Sequence, residues 1–146
     1  MLPKTEERVP AHTSSEVNNA INRDTIERLK SVADDPAKLR RRLDEVDREW
    51  DIERTLEANA ASLGLIGLAL GALVSPWFFV LPAIVCAFLL QHALQGWCPP
   101  VPILRRLHFR TAREIEDERV SLKALRGDFA DVRREPLRAY QATKAG

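Results

Sequence analysis

Residues 58–104 read ANAASLGLIGLALGALVSPWFFVLPAIVCAFLLQHALQGWCPPVPIL, and none of these 47 positions is Lys, Arg, Asp or Glu. Over the whole 146-residue chain, 29% of residues are charged and the formal net charge is +1. The charges are therefore segregated, not scarce. An ionised side chain at the centre of a bilayer costs about 2.5–3.5 kcal/mol on insertion scales, so a membrane core demands such a gap. One spanning helix takes about 20 residues, and this stretch holds two helices and a turn. A secretory signal would lie within about the first 15–30 residues, whereas this run follows a polar stretch of 57. The expectation is an all-α fold: an integral membrane two-helix transmembrane hairpin with amphipathic cytoplasmic helical arms at both ends.

Inside the run, Ser75-Pro76-Trp77 supplies the turn, because proline cannot continue a helical ladder and biases the residue before it away from helical angles. The first span then covers about Ala58–Val74 and the second about Phe78–Trp97, with Pro82 tolerated in its first turn. Gly96-Trp97-Cys98-Pro99-Pro100 ends the second. Working outward, the chain divides into a flexible tail at 1–13, an N-terminal arm at 14–57 and the hairpin at 58–97. A Pro/Arg-rich interfacial linker at 98–110 and a C-terminal arm at 111–146 follow.

In the first arm, a helix from Ser14 or Ser15 to about Ala33 places Ile21, Ile26, Leu29 and Ala33 on one side. Asp35 suits an N-cap and Pro36 the first helical position of a second helix. Leu39, Leu43, Val46 and Trp50 form its heptad-like stripe, and no breaker separates it from the first span. After the linker, Thr111-Ala-Arg-Glu114 has the form of a capping box. It opens a helix expected to reach about Glu135, with Ile115, Leu122, Leu125, Phe129 and Val132 at heptad spacing and Glu118 interrupting the stripe. Pro136 is expected to end it and leave a frayed terminus. Both stripes need cover: the arms pack on each other or on a partner. Their charges, −1 over 36–57 and 0 over 110–135, select neither.

Loop charge sets the orientation. The turn at 75–77 is uncharged, whereas Arg48, Arg54, Arg105, Arg106, Arg110 and Arg113 gather at the opposite ends, which puts both termini in the cytoplasm. Trp50, Trp77 and Trp97 sit where interfacial anchors belong. The basic cluster Arg105, Arg106, Arg110 and Arg113 reads as a topology determinant touching anionic headgroups, not as a nucleic-acid surface.

Three features could carry chemistry. Gly64, Gly67 and Gly71 have the small-residue spacing that lets helix backbones approach, either within the hairpin or between two copies. Gln91, His92 and Gln95 are the strongly polar side chains deep in the second span. A histidine there could hold haem, but this one lies five residues from Trp97, about 7–8 Å along the axis, where interfacial hydrogen bonding is the plainer role. Cys98 is a candidate reactive thiol, since nearby arginines favour a thiolate. Cys86 cannot pair with it within one helix: twelve residues rise about 18 Å, against the 4.4–6.8 Å between α-carbons that a disulfide spans. Cys98-Pro-Pro-Val-Pro also lacks the N–H donors of an anion cradle. No catalytic grouping, metal-ligand spacing, phosphate loop or dinucleotide fingerprint accompanies these residues, so no enzyme, metal, cofactor, nucleic acid or small-molecule substrate is expected.

The stretch Asp51-Ile-Glu-Arg-Thr-Leu-Glu57, the Gly-rich first span, the Ser-Pro-Trp turn and the exit Gly96-Trp97-Cys98-Pro99 together resemble the YgaP-like inner-membrane domain family over about residues 51–109. That family is a two-helix module found in bacteria alone or joined to rhodanese domains. The resemblance implies a cytoplasmic-sided hairpin that self-associates. This chain lacks a rhodanese domain, which argues against direct sulfur transfer, and its long arms exceed the family pattern. The expectation is a non-catalytic inner-membrane anchoring or assembly module, a homo-oligomer or an accessory subunit of a larger complex. The alternative is a redox or sulfur-relay partner of a rhodanese-like enzyme acting through Cys98.

Overall fold

The structure, a computed structural model, describes residues 4, 7–130 and 136–144. It is helical throughout, with no strand among the described residues. The chain forms two compact units. One combines the chain up to Asn19 with Trp50–Ala112, and the other combines Ala20–Glu49 with the chain from Arg113 onward.

The first unit contains α1 (Arg8–Ala11), α4 (Ile52–Leu73), a 3₁₀ turn (Pro76–Phe79), α5 (Val80–Gln95) and α6 (Val101–Arg106). Helix α2 (Ser15–Val32) begins here and continues into the second unit. Helices α4 and α5 pack on each other and on the 3₁₀ turn between them. Apolar composition and absence of breakers carry α4 over 22 residues, about 33 Å at 1.5 Å per residue. The 3₁₀ turn and α5 together span 20 residues, about 30 Å. Both helices are long and apolar enough to cross a membrane.

Helix α5 stops at Gly96, whose φ of 75° is left-handed; glycine adopts this conformation without a Cβ clash. A β-carbon there would also collide with the backbone of Arg8. The N-terminal segment, expected to be a flexible tail, is thus docked in its described part. Val9 is buried with Ile52, Leu56, Cys98, Val101 and Leu104 in one apolar cluster. Burial of Val9 offsets part of the cost of ordering the short turn that carries it.

The helix expected to run from the first arm into the membrane is broken. Helix α3 (Pro36–Arg48) ends at Glu49 in extended geometry, and α4 restarts with Asp51 as N-cap, its side chain accepting from the Arg54 amide at 2.7 Å. The Ile52 amide donates to the Arg110 carbonyl at 2.9 Å. A side-chain acceptor and a distant carbonyl thus satisfy amides that a continuous helix would have bonded internally.

The second unit holds the rest of α2, α3, α7 (Ala112–Arg126) and α8 (Pro136–Lys144). Its core joins Val32, Leu39, Leu43 and Val46 of the first arm to Ile115 and Leu122 of the second, with Leu29 against it. The arms therefore pack on each other within one chain. The stripes differ from expectation: Ile26, Ala33 and Leu125 are exposed and outside this core, and Trp50, also exposed, belongs to the first unit. Helix α7 stops at Gly127, with a φ of 92°, short of the expected Glu135; Val132 lies outside the described residues. Pro136, expected to end a helix, opens α8 instead, where its missing N–H costs nothing.

Candidate functional site

Two glycines close the hairpin near its turn. A β-carbon at Gly67 would lie 2.5 Å from Pro82 Cδ, and one at Gly71 would lie 2.6 Å from the Phe79 ring. At Gly64 a β-carbon meets nothing within 4 Å. The two helices are in close contact at Gly67 and Gly71, whereas Gly64 faces open space.

Toward the start of α4 and the end of α5, an apolar cavity of about 200 Å³ lies between the two helices. Leu56, Ala60 and Leu63 of α4 face Val85, Phe88 and Leu89 of α5 across it, and Cys98-Pro99-Pro100 closes one end. A second cleft, of about 310 Å³, is charged: Arg8, Glu53, Glu57 and His92 line it. Leu56 and Leu89 belong to both linings.

The charged cleft is built from three segments. Asp51 caps α4, so Glu53 lies in the first turn of that helix, and Glu57 follows four residues later on the same face. His92, in the last turn of α5 and 4% exposed, brings Nε2 to 2.6 Å from Glu53 Oε2. Its buried Nδ1 has no hydrogen-bond partner. Arg8 Nη1 donates to the Ala93 carbonyl at 2.5 Å. Of the other two polar residues expected beside His92, Gln91 is half-buried and Gln95 exposed.

Cys98 lies outside the α5 helix, packed in the apolar cluster with Val9, Ile52 and Leu56 and 5% exposed. Burial, with the nearby Glu53 carboxylate adding to it, pushes its thiol pKa up. The thiolate expected from neighbouring arginines is therefore disfavoured by desolvation, with the Val101 amide opposing it. Arg105 and Arg110, expected at the headgroup level, are instead buried. Arg105 donates to the Phe109 carbonyl at 3.0 Å and to Asn18 Oδ1 at 2.8 Å, which turns its charge into a structural tie. Arg106 is exposed, and Arg113 pairs with Asp117 at 3.0 Å. Trp77 is exposed at the hairpin turn, Trp97 is half-buried, and Trp50 is exposed with the Arg54 guanidinium stacked 4.1 Å from its ring.

Sequence reasoning missed two constellations. The Arg8–Gly96 contact was hidden because a proline-containing stretch without apolar period carries no docking signal. The second is Glu118 in the arm unit, fully buried, with Arg42 Nε donating to Oε1 at 2.8 Å, Arg42 Nη2 to Oε2 at 3.1 Å, and Arg28 Nε 3.6 Å away. Its one trace in the sequence is a carboxylate occupying an apolar heptad slot. Among the described residues, no group of three His, Cys, Asp or Glu side chains is placed to hold a metal ion.

No family model, curated protein or solved structure matches the chain. The resemblance to the YgaP-like domain therefore rests on the residues quoted for it within 51–109.

Proposed function

We propose that this chain is a non-catalytic module of the bacterial inner membrane, spanning it as a hairpin with both termini cytoplasmic. It acts by helix–helix association, with a second copy or as an accessory subunit of a larger membrane complex. One observation carries the reading: the two apolar helices turn their side chains outward. In the most apolar 18-residue stretch of each, 17% and 6% of residues are buried. Leu73 is 85% exposed, Leu65 69% and Trp77 77%. A soluble protein's core helix buries such side chains; leaving each in water forgoes about 1.5–3 kcal/mol. Lipid or another helix removes that penalty. The uncharged turn and the arginines at the opposite ends support the cytoplasmic orientation.

Gly67 and Gly71 are already used inside the hairpin, which leaves Gly64 as the α4 glycine of this spacing open to a neighbour. The membrane reading predicts that the expressed chain stays in the membrane pellet through an alkaline carbonate wash. A chain soluble without detergent would overturn it. Native mass spectrometry from mild detergent should show two or more copies, or one copy with a stoichiometric partner; a bare monomer would overturn the assembly role.

The alternative, sulfur or redox relay through Cys98, is weakened by the raised thiol pKa and burial. Iodoacetamide should label Cys98 at pH 8 at least tenfold more slowly in the folded protein than after denaturation. Faster labelling in the folded state would revive the relay.

A further inference from the structure

We infer that the outer face of α6, made of Ile103, Arg106 and Leu107, docks on the phospholipid headgroup layer of the cytoplasmic leaflet. Arg106 takes a lipid phosphate, and Ile103 and Leu107 dip into the acyl boundary beside it. The inference rests on the membrane reading above and adds to it a lipid contact outside the two spans.

Helix α6 begins five residues beyond the end of α5, in the same compact unit. Its inner face is fixed. Val101 and Leu104 are buried in one cluster with Ile52 and Leu56 of α4, and Arg105 is tied to Asn18 and to the Phe109 carbonyl. Its outer face is the reverse. Ile103 is 62% exposed and Leu107 66%, and Arg106 is exposed with them. Spacings of three and four residues put all three on one side. Among the described residues, the Arg106 guanidinium has neither an ion pair nor a hydrogen bond.

Depth selects the occupant. Glu57 is the last charged residue before the charge-free stretch, so it marks the edge of the hydrocarbon. Leu56 and Ile52 precede it by one and five residues, about 2 and 8 Å along the helix axis. The headgroup layer on each side of the hydrocarbon is about 5–7 Å thick. Helix α6, packed against those two residues, therefore lies at headgroup level. Trp50, just ahead of α4, is exposed at the same end, and tryptophan collects at that level. The chemistry of the face agrees with its depth. A partner helix covering it would enclose the Arg106 charge, which is costly unless a carboxylate meets it. A phospholipid layer offers phosphate oxygens to the guanidinium and acyl carbon to Ile103 and Leu107 at once. Arg105 and Arg110 are buried and Arg113 pairs with Asp117, so the phosphate contact falls to Arg106.

The test places the photo-crosslinking residue p-benzoylphenylalanine at Ile103, Leu107 or Leu65 in turn, in the full chain reconstituted into vesicles of phosphatidylethanolamine and phosphatidylglycerol. Leu65, exposed on α4, reports the spanning helix. Mass spectrometry after irradiation separates lipid adducts from protein cross-links. The Ile103 and Leu107 positions should give lipid adducts, as Leu65 does. Arg106→Glu should cut the adduct yield at Leu107 about fivefold, the worth of one cation near an anionic surface, and leave the yield at Leu65 unchanged. Should the charge reversal disturb the helical circular dichroism, Arg106→Gln should lower the same yield by a smaller factor. Adducts at Leu65 with none at Ile103 or Leu107, protein cross-links in their place, or a Leu107 yield indifferent to the Arg106 changes would overturn the inference and leave the membrane reading standing. No lipid adduct at any of the three positions would overturn both.

Discussion

Gly64, Gly67 and Gly71 occupy one helix and nearly one face, yet they do different work. Gly67 and Gly71 admit Pro82 and Phe79, while Gly64 borders open space. Gly67→Leu should therefore destabilise the hairpin by about 1–3 kcal/mol through overpacking, seen as a lowered thermal midpoint of the helical signal. Gly64→Ala should leave that midpoint unchanged or raise it, since alanine is the better helix former by about 1 kcal/mol. If Gly64→Ala destabilises the monomer as Gly67→Leu does, the division of roles is wrong. The spacing alone was legible in the sequence. Which glycines are filled was not, because that depends on where α5 lies. Glu118 makes the same point in the other unit. Removing one partner of a buried ion pair costs about 3–5 kcal/mol, and the 35% exposure of the Arg28 side chain, with 16% for Arg42, places Glu118→Ala near the lower end. Chemical denaturation should report that loss, and a change below about 1 kcal/mol, the worth of a surface pair, would refute the buried network.

At the scale of elements, caps proved more readable than continuity. Asp35 caps α3 as expected, accepting from the amides of Ala37 at 2.9 Å and Lys38 at 3.2 Å, with Pro36 opening the helix. Those backbone bonds hold its carboxyl below the usual range. Arg42 and Arg41 do the same for Glu45, and Arg126 for Asp128. All three pKa values are depressed in the folded state, so their stabilisation is present above the ordinary carboxylate pKa near 4 and is lost as pH falls through and below it. The arms' thermal midpoint should drop between about pH 5 and pH 3, and Asp35→Asn should shrink that drop. A midpoint insensitive to pH across this window would contradict the assignment. The break before α4 was missed because Glu49-Trp50-Asp51 contains neither proline nor glycine. Only the capping bond of Asp51 and the Arg110 carbonyl that receives the Ile52 amide make it favourable. Likewise α7 ends at Gly127 because glycine takes the left-handed geometry there, although the apolar spacing runs on.

At the scale of the whole molecule, the proposed topology can be measured. A reporter active only in the periplasm should be inactive when fused at either end and active when inserted at Ser75. Activity at one end alone would rule out two spans. The sequence by itself determined that the chain is helical, that two segments are long and apolar enough for a bilayer, and where the turn between them falls. These follow from local properties, since transfer energies, proline geometry and capping need no knowledge of distant residues. Only the tertiary structure decided that Arg105, Arg110 and Cys98 are buried, that Glu118 meets Arg42, and that Arg8 packs on Gly96 beside the Glu53–His92 pair. Each brings together groups separated by dozens of positions, and whether a charge or thiol there is solvated or enclosed depends on that meeting, which periodicity along one helix does not encode.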